Sequence, residues 1–243
     1  MDRLNGLDAL VTGGASGIGR ATAIALRDAG ARVTATGLTD EEIAAGRADG
    51  AMTGIDIVAL DVRDSGQVKA CFDTLTRLDI LVNCAGVGRS GDDFGEEGFM
   101  KTVDINLHGT MRCSFEARRL LEARGGAIVN IASVMSFFGS GTGPAYAASK
   151  GGVAQFTKSL AVAWGKSGIR TNAVAPGWIE TPMTEAMRDE ADYNRRVLQR
   201  CPMGRWGRPE EIAAAIVFLA SPQASFINGA ILPVDGGYMV TGV

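Results

Sequence analysis

Tyr146 and Lys150 stand four residues apart in Tyr-Ala-Ala-Ser-Lys, inside a helical pattern opened by Pro144. Residues at that spacing share one face of a helix, so a phenol and an ammonium would lie side by side. A free tyrosine, with a pKa of about 10, is a poor base at neutral pH. A neighbouring cation favours the phenolate and brings the group towards the range of useful proton transfer. The same pair would also suit the outside of an amphipathic helix. Two further residues tip the balance towards chemistry. Ser133 closes the apolar run Ala127–Ala132, where its hydroxyl could hydrogen-bond a substrate oxygen. Asn106, in Asp-Ile-Asn-Leu-His-Gly, falls in the interior of a predicted helix, where asparagine is locally unfavourable and invites a functional explanation.

A second constellation lies near the N-terminus. Thr12-Gly-Gly-Ala-Ser-Gly-Ile-Gly19 follows a β-branched run and opens directly into a helical pattern. Gly13, Gly17 and Gly19 let the backbone turn tightly and approach a ligand without a Cβ in the way. The helix start, with Ser16 and Ile18 beside those glycines, then offers unpaired N–H groups to a pyrophosphate. A tight strand-to-helix turn would need glycine as well. Its placement after the first strand and before a helix favours the phosphate reading, and the spacing differs from the longer dehydrogenases' G-x-G-x-x-G.

Such residues must be held by a scaffold, and the chain supplies one. Short apolar runs alternate with longer amphipathic stretches, the pattern of a parallel sheet with crossover helices. Strands are predicted at 7–12, 32–36, 55–61, 79–83, 127–132, 169–175 and 230–234. Helices are predicted near 17–29, 64–77, 96–123, 144–166 and 209–220. The fold class is therefore α/β: residues 1–243 as a single doubly wound, Rossmann-type domain of about seven strands with helices on both faces. The stretch 176–209 interrupts the rhythm, carries a short helical pattern at 185–198, and is read as a substrate lid within that domain.

Composition agrees, with 46% hydrophobic and 21% charged residues in 243, as expected of an ordinary globular protein. A net charge of −3 without a Lys/Arg cluster argues against nucleic acid or an anionic membrane as partner. Cys71, Cys84, Cys113 and Cys201 form no ligand spacing, and His108 is the one histidine, so no metal site is expected. No signal peptide or bilayer-spanning run is apparent, and the expected location is cytoplasmic.

Together these motifs resemble the short-chain dehydrogenase/reductase family, almost from end to end. TGGASGIG matches the family's TGxxxGIG; Asp61-Val62 looks like its adenine-contacting acid and neighbour; Asn83-Cys-Ala85-Gly86 is similar to NNAG with cysteine for the second asparagine. Asn106, Ser133, Tyr146 and Lys150 fall in the order of its catalytic tetrad. Pro176, Gly177, Ile179 and Thr181 look like the segment that closes over a nicotinamide, and Asn172 and Val234-Asp-Gly-Gly also fit. The resemblance implies an NAD(P)-dependent oxidoreductase moving a hydride between the cofactor and a secondary alcohol or ketone. It makes Tyr146 the general acid or base, has Lys150 lower its pKa and bind the nicotinamide ribose, and has Ser133 hold the reacting oxygen. Asn106 is expected to help order a proton-relay water. A homotetramer built on helices 96–123 and 144–166 is also implied. The stretch from Asp61 to Asn83 is about one helical turn shorter than the family's.

Met135, Phe138, Trp178, Met183 and Met187 follow Ser133 and Pro176 and suggest an apolar pocket for a small cyclic or aliphatic secondary alcohol or its ketone. Pro202–Glu210 resembles the tail of acyl-carrier-protein ketoreductases, which leaves an NADPH-dependent 3-oxoacyl thioester reductase as the alternative. A cofactor-binding protein without catalysis would tolerate losing Ser133, Tyr146 or Lys150, and all three are present. No cation stands in the glycine loop or at the end of strand two, Thr36-Gly37-Leu38, where a 2′-phosphate would need one. NAD is therefore expected over NADP. Asp40 is expected to add repulsion, Gly37→Asp to sharpen the preference, and Leu38→Arg to raise affinity for NADP.

Overall fold

Alternate residues of each central strand go to opposite sides of one sheet, and both sides are apolar. In the computed structural model, which describes residues 4–88 and 92–242, the strands are β1 (Asp8–Thr12), β2 (Arg32–Gly37), β3 (Ile55–Ala59), β4 (Ile80–Asn83), β5 (Gly126–Ile131), β6 (Ile169–Pro176) and β7 (Ile231–Val234). All pair in parallel in the order β3-β2-β1-β4-β5-β6-β7. Ala9 and Val11, Ile80 and Val82, and Val129 and Ile131 pack with Leu26 of α1 (Gly17–Asp28) and with Ile212 and Ile216 of the last helix. Leu10, Leu81 and Ile128, one residue out of step, pack on the other face with Phe72, Leu121 and Leu160. Burial on both faces explains why these strands read as continuous apolar runs.

The chain winds outward from β1 to β3, returns to β4 beside β1, and winds the other way. The crossovers on the two sides diverge at the C-terminal ends of β1 and β4, where Thr12 sits opposite Asn83, and a crevice opens there. It is this topological switch point that positions everything functional.

The seven predicted strands are all present, with ends moved by a residue or two. Three helical features differ from expectation. The stretch after β2, where the sequence predicts no helix, folds as α2 (Asp40–Ala48); only Ile43 and Gly46 of its nine residues are buried, so it carries little apolar periodicity. After α3 (Ser65–Asp73), the expected single helix 96–123 is α4 (Glu96–Val103) and α5 (Gly109–Glu122), joined through a π-helical turn at Asp104–His108. Asn106 lies in that turn. The stretch 176–209, which follows α6 (Pro144–Trp164), holds α7 (Glu185–Asp189) and α8 (Ala191–Arg200), broken at Glu190. Glu190 adopts an extended backbone there, and its carboxylate accepts the Tyr193 N–H at 3.1 Å, starting the second helix. α9 (Pro209–Ala220) then covers the sheet beside α1.

Candidate active site

The floor of the crevice is built from the ends of β1 and β4. Thr12 Oγ1 accepts the N–H of Cys84 at 3.1 Å and of Ala85 at 3.2 Å, tying the two loops together. Gly13 turns with φ +62°, and a Cβ there would lie 2.7 Å from the Ala85 Cα. At Gly19, in the first turn of α1, a Cβ would lie 2.0 Å from the Gly13 carbonyl oxygen. The loop closes only because both positions lack a side chain.

Above this floor runs a cleft of about 290 Å³. Gly13, Ser16, Gly17, Ile18 and Gly19 form one wall at the N-terminus of α1. Gly37, Asp61, Val62, Ala85 and Gly86 line the cleft too, as do Pro176, Gly177, Ile179 and Thr181. The glycine cradle at a helix N-terminus fits the pyrophosphate of a dinucleotide, whose two halves the elongated cleft would take. Among the described residues no group of His, Cys, Asp and Glu side chains could hold a metal ion.

Asn83, expected to touch the cofactor, is turned away from the cleft. Its Nδ2 donates to Ser114 Oγ at 3.0 Å and to Asn130 Oδ1 at 2.8 Å, and Asn130 Nδ2 donates to Thr157 Oγ1 at 2.9 Å. These buried amides link β4, β5, α5 and α6; the pairing depends on Asn83 and Asn130 being opposite each other, which one sequence does not show. Cys84, its neighbour, lines the cleft, and burial pushes its thiol up to about 12, so it is a thiol rather than a thiolate. Asp61 lines the cleft with both carboxylate oxygens bonded to Arg63, whose guanidinium holds the carboxyl below the usual range. Arg63 also lines the cleft; standing beyond β3 rather than at β2, it carries no signal in the sequence.

At the end of β5 and along α6, Ser133, Tyr146 and Lys150 meet on the cleft wall. The Ser133 hydroxyl, which accepts the Met135 N–H at 3.1 Å, stands close enough to the Tyr146 phenol to favour its charged form. Lys150 is buried, donates from Nζ to the Ile131 carbonyl at 2.7 Å, and holds Nζ 5.8 Å from the centre of the Tyr146 ring. Ser136 Oγ donates to the Lys150 carbonyl at 2.7 Å, fastening the Ser133 loop to α6. Burial pulls the Lys150 ammonium down to about 8 and pushes the Tyr146 phenol up, with the Ser133 hydroxyl opposing it more weakly. The lowering of Tyr146 by Lys150 that the sequence leads one to expect is not seen: burial dominates and raises the phenol.

Asn106 is wholly buried and acts as a clamp. Its Oδ1 accepts the Val87 N–H at 2.8 Å, while Nδ2 donates to the Val87 carbonyl and to Ser149 Oγ, both at 3.0 Å. Ser149 in turn donates to the Tyr146 carbonyl at 2.8 Å. Both amide N–H donors are committed, so a relay water could use only a remaining lone pair on Oδ1 or on the backbone carbonyl.

The expected apolar pocket divides. Met183 lines the cleft, 3.3 Å from where a Cβ on Gly88 would lie. Met135, Phe138 and Trp178 instead pack around Val134, Cys201 and Tyr238. Trp178 stacks edge-on with Tyr193, Trp206 and Tyr238, and borders a separate cavity rather than the cleft. Helical or loop spacing says which residues are near in sequence, not which neighbours claim them. Met187 sits half-buried on α7, and it too is absent from the cleft wall.

Comparison with known proteins agrees with this geometry. A family model described as enoyl-(acyl carrier protein) reductase matches residues 13–239. A 3-oxoacyl-acyl-carrier-protein reductase of Thermotoga maritima is 38% identical, over 98% of this chain and 100% of that protein. The chain belongs to the short-chain dehydrogenase/reductase family. Within that family, the cis-4-hydroxycyclohexanecarboxylate dehydrogenase of Sinomonas cyclohexanicum is 41% identical over 95% of both chains. The crystal structure of a gluconate 5-dehydrogenase from Burkholderia cenocepacia, in complex with NADP and tartrate, superposes with a TM-score of 0.91 at 36% identity, covering 100% of this chain and 98% of that one. The protein is accordingly an oxidoreductase of CH–OH groups that transfers a hydride between a nicotinamide cofactor and a secondary alcohol or ketone.

Proposed function

We propose that Tyr146 is the general acid and base of this reductase, that Ser133 and Lys150 position and charge it, and that NAD is the preferred cofactor. The observation that carries the reading is the Ser133–Tyr146–Lys150 cluster on the wall of a cleft that a glycine cradle also lines. In oxidation the Tyr146 hydroxyl oxygen takes the substrate's hydroxyl proton, and in reduction it returns one to the carbonyl oxygen. Ser133 holds the same oxygen by a hydrogen bond. An ammonium has three donors; Lys150 gives one to Ile131, leaving two for ribose hydroxyls and the phenol. The bound nicotinamide supplies or accepts the hydride, while the chain supplies geometry and electrostatics. A positive charge bound beside the phenol offsets part of the burial that holds Tyr146 protonated.

For substrate we propose a small secondary alcohol or its ketone, entering past Met183. The lid is the segment 176–209 of the single domain. A homotetramer fits Phe115 of α5, which is half exposed and lies edge-on to Phe156 and Trp164 of α6. Four free cysteines suit a reducing cytoplasmic setting, and among the described residues no helix is long and apolar enough to cross a membrane.

The test is a panel of secondary alcohols and ketones followed by nicotinamide absorbance with each cofactor. Turnover of cyclic or aliphatic alcohols with NAD is expected. Reaction confined to an acetoacetyl thioester with NADPH would instead support the 3-oxoacyl reductase reading, which the 38% identity to the Thermotoga enzyme also favours.

A further inference from the structure

The adenosine end of the cleft carries an acid that does not come from the strand. β2 ends at Gly37, and Leu38 follows, so neither residue offers a charge to a ribose. α2 then begins, with Thr39 Oγ1 accepting the Glu42 N–H at 3.2 Å. The Glu42 side chain folds back over the strand end, where Oε2 accepts the Leu38 N–H at 2.8 Å. Glu42, Gly37 and Leu38 all line the cleft, as does Ser16.

The approach of α2 depends on glycine. A Cβ at Gly37 would lie 3.1 Å from Ile43 Cγ1, 3.3 Å from Ala15 Cβ and 3.4 Å from Glu42 Cβ. A Cβ at Gly46, further along the helix, would lie 2.8 Å from Ile57 Cδ1. An aspartate at 37 would therefore crowd α2 and set a second carboxylate beside Glu42, contrary to the expectation that Gly37→Asp improves NAD recognition. The strand-end glycine and the helix are matched: the space a side chain at 37 would fill is occupied by the helix that delivers Glu42.

The local charge is not neutralised. Glu42 has no ion pair among the described residues. The nearby guanidinium of Arg63 is committed to Asp61, Arg20 to Asp49, and Arg47 donates to the Ile57 carbonyl. Asp40, the acid suspected from sequence, is exposed and is absent from the cleft wall.

We propose that Glu42 is the specificity-determining residue for the adenosine 2′ position, accepting a free 2′-hydroxyl and repelling a 2′-phosphate. This rests on the dinucleotide reading above. One oxygen of the carboxylate holds Leu38, which fixes the side chain, and the other is free to accept. Losing a hydrogen bond to a charged acceptor corresponds to a change of about tenfold in Kd, and removing like-charge repulsion shifts the phosphorylated nucleotide in the opposite direction.

The experiment measures Kd for NAD⁺ and NADP⁺ by calorimetry on the full chain and on two variants. Wild type should bind NAD⁺ the tighter. Glu42→Gln, which keeps an acceptor for Leu38, should weaken NAD⁺ and tighten NADP⁺, so that their ratio falls by about tenfold or more. Asp40→Asn, which removes one charge from the same helix start, should leave the ratio in place. If Glu42→Gln does not fold, Glu42→Ala takes its place with the same expected direction. Competition by 5′-AMP against adenosine 2′,5′-bisphosphate on wild type should favour the former. A ratio unmoved at Glu42, or moved equally by Asp40→Asn, overturns Glu42 alone. NADP⁺ or the bisphosphate bound as tightly by wild type also overturns it. Binding of neither dinucleotide overturns the dinucleotide reading itself.

Discussion

Truncating Asn106 to alanine removes three hydrogen bonds at once from the point where α5, α6 and the β4 loop meet. The Val87 N–H and carbonyl lose their partner, while Ser149 loses an incoming donor and keeps its bond to the Tyr146 carbonyl. A buried polar group left unpaired costs about 1–3 kcal/mol. Val87 is half-buried at the cleft, so water can reach part of it and the lower half of that range applies to each of its two groups. The expected loss is about 2–4 kcal/mol, or a fall in Tm of roughly 5–15 °C for a chain of this length. Val87 and Gly86 also line the cleft, so dinucleotide affinity should weaken together with stability. Asn106→Asp should do no better, because a carboxylate cannot donate to the Val87 carbonyl. Thermal unfolding followed by circular dichroism, alongside calorimetric Kd values, checks both. An alanine variant with unchanged Tm and Kd but lost turnover would refute the clamp and return Asn106 to the chemistry as a relay for protons.

Two other outcomes follow from the cleft. Gly19→Ala should weaken dinucleotide binding sharply and destabilise the chain by about 1–3 kcal/mol, because the new methyl meets the Gly13 carbonyl oxygen at 2.0 Å; wild-type affinity in calorimetry would show that the loop does not depend on that contact. Lys150→Met should raise stability at neutral pH, since the folded chain holds Lys150 near 8 and the unfolded chain near 10.5. Below about 8 both states are protonated and the fold bears the full cost of the buried charge, on the order of 3 kcal/mol, offset in part by the bond to Ile131. Between 8 and 10.5 the unfolded state binds more protons, so wild-type stability rises with pH and the advantage of the variant shrinks. A gap in Tm that widens over that range would contradict the burial argument.

The sequence makes the sheet legible because its central strands are covered on both faces, so apolar runs such as Leu10–Val11 and Leu81–Val82 have no polar alternation to confuse them. The glycine loop and the Tyr146–Lys150 pair are legible for another reason: both depend on short-range spacing within one turn or one helix. What lay beyond reach depends on neighbours distant in the chain. Asn83 looked like a cofactor contact until its opposite number Asn130 claimed it. Trp178 looked like a pocket wall until Tyr193, Trp206 and Tyr238 surrounded it. Glu42 is not legible because α2 has almost no apolar periodicity, and its approach to the strand end follows from the glycines at 37 and 46. A sequence displays such glycines without showing what comes close to them.

The central claim is that the phenol of Tyr146 carries the proton, and the most direct measurement is the turnover of Tyr146→Phe set beside its dinucleotide Kd. Phenylalanine keeps the ring against Lys150 and removes only the hydroxyl. The account predicts a fall in kcat of about 10²–10⁴-fold with the Kd for NAD⁺ close to that of wild type. A variant whose kcat stays within a few-fold of wild type would contradict the assignment and place the proton transfer elsewhere in the cleft.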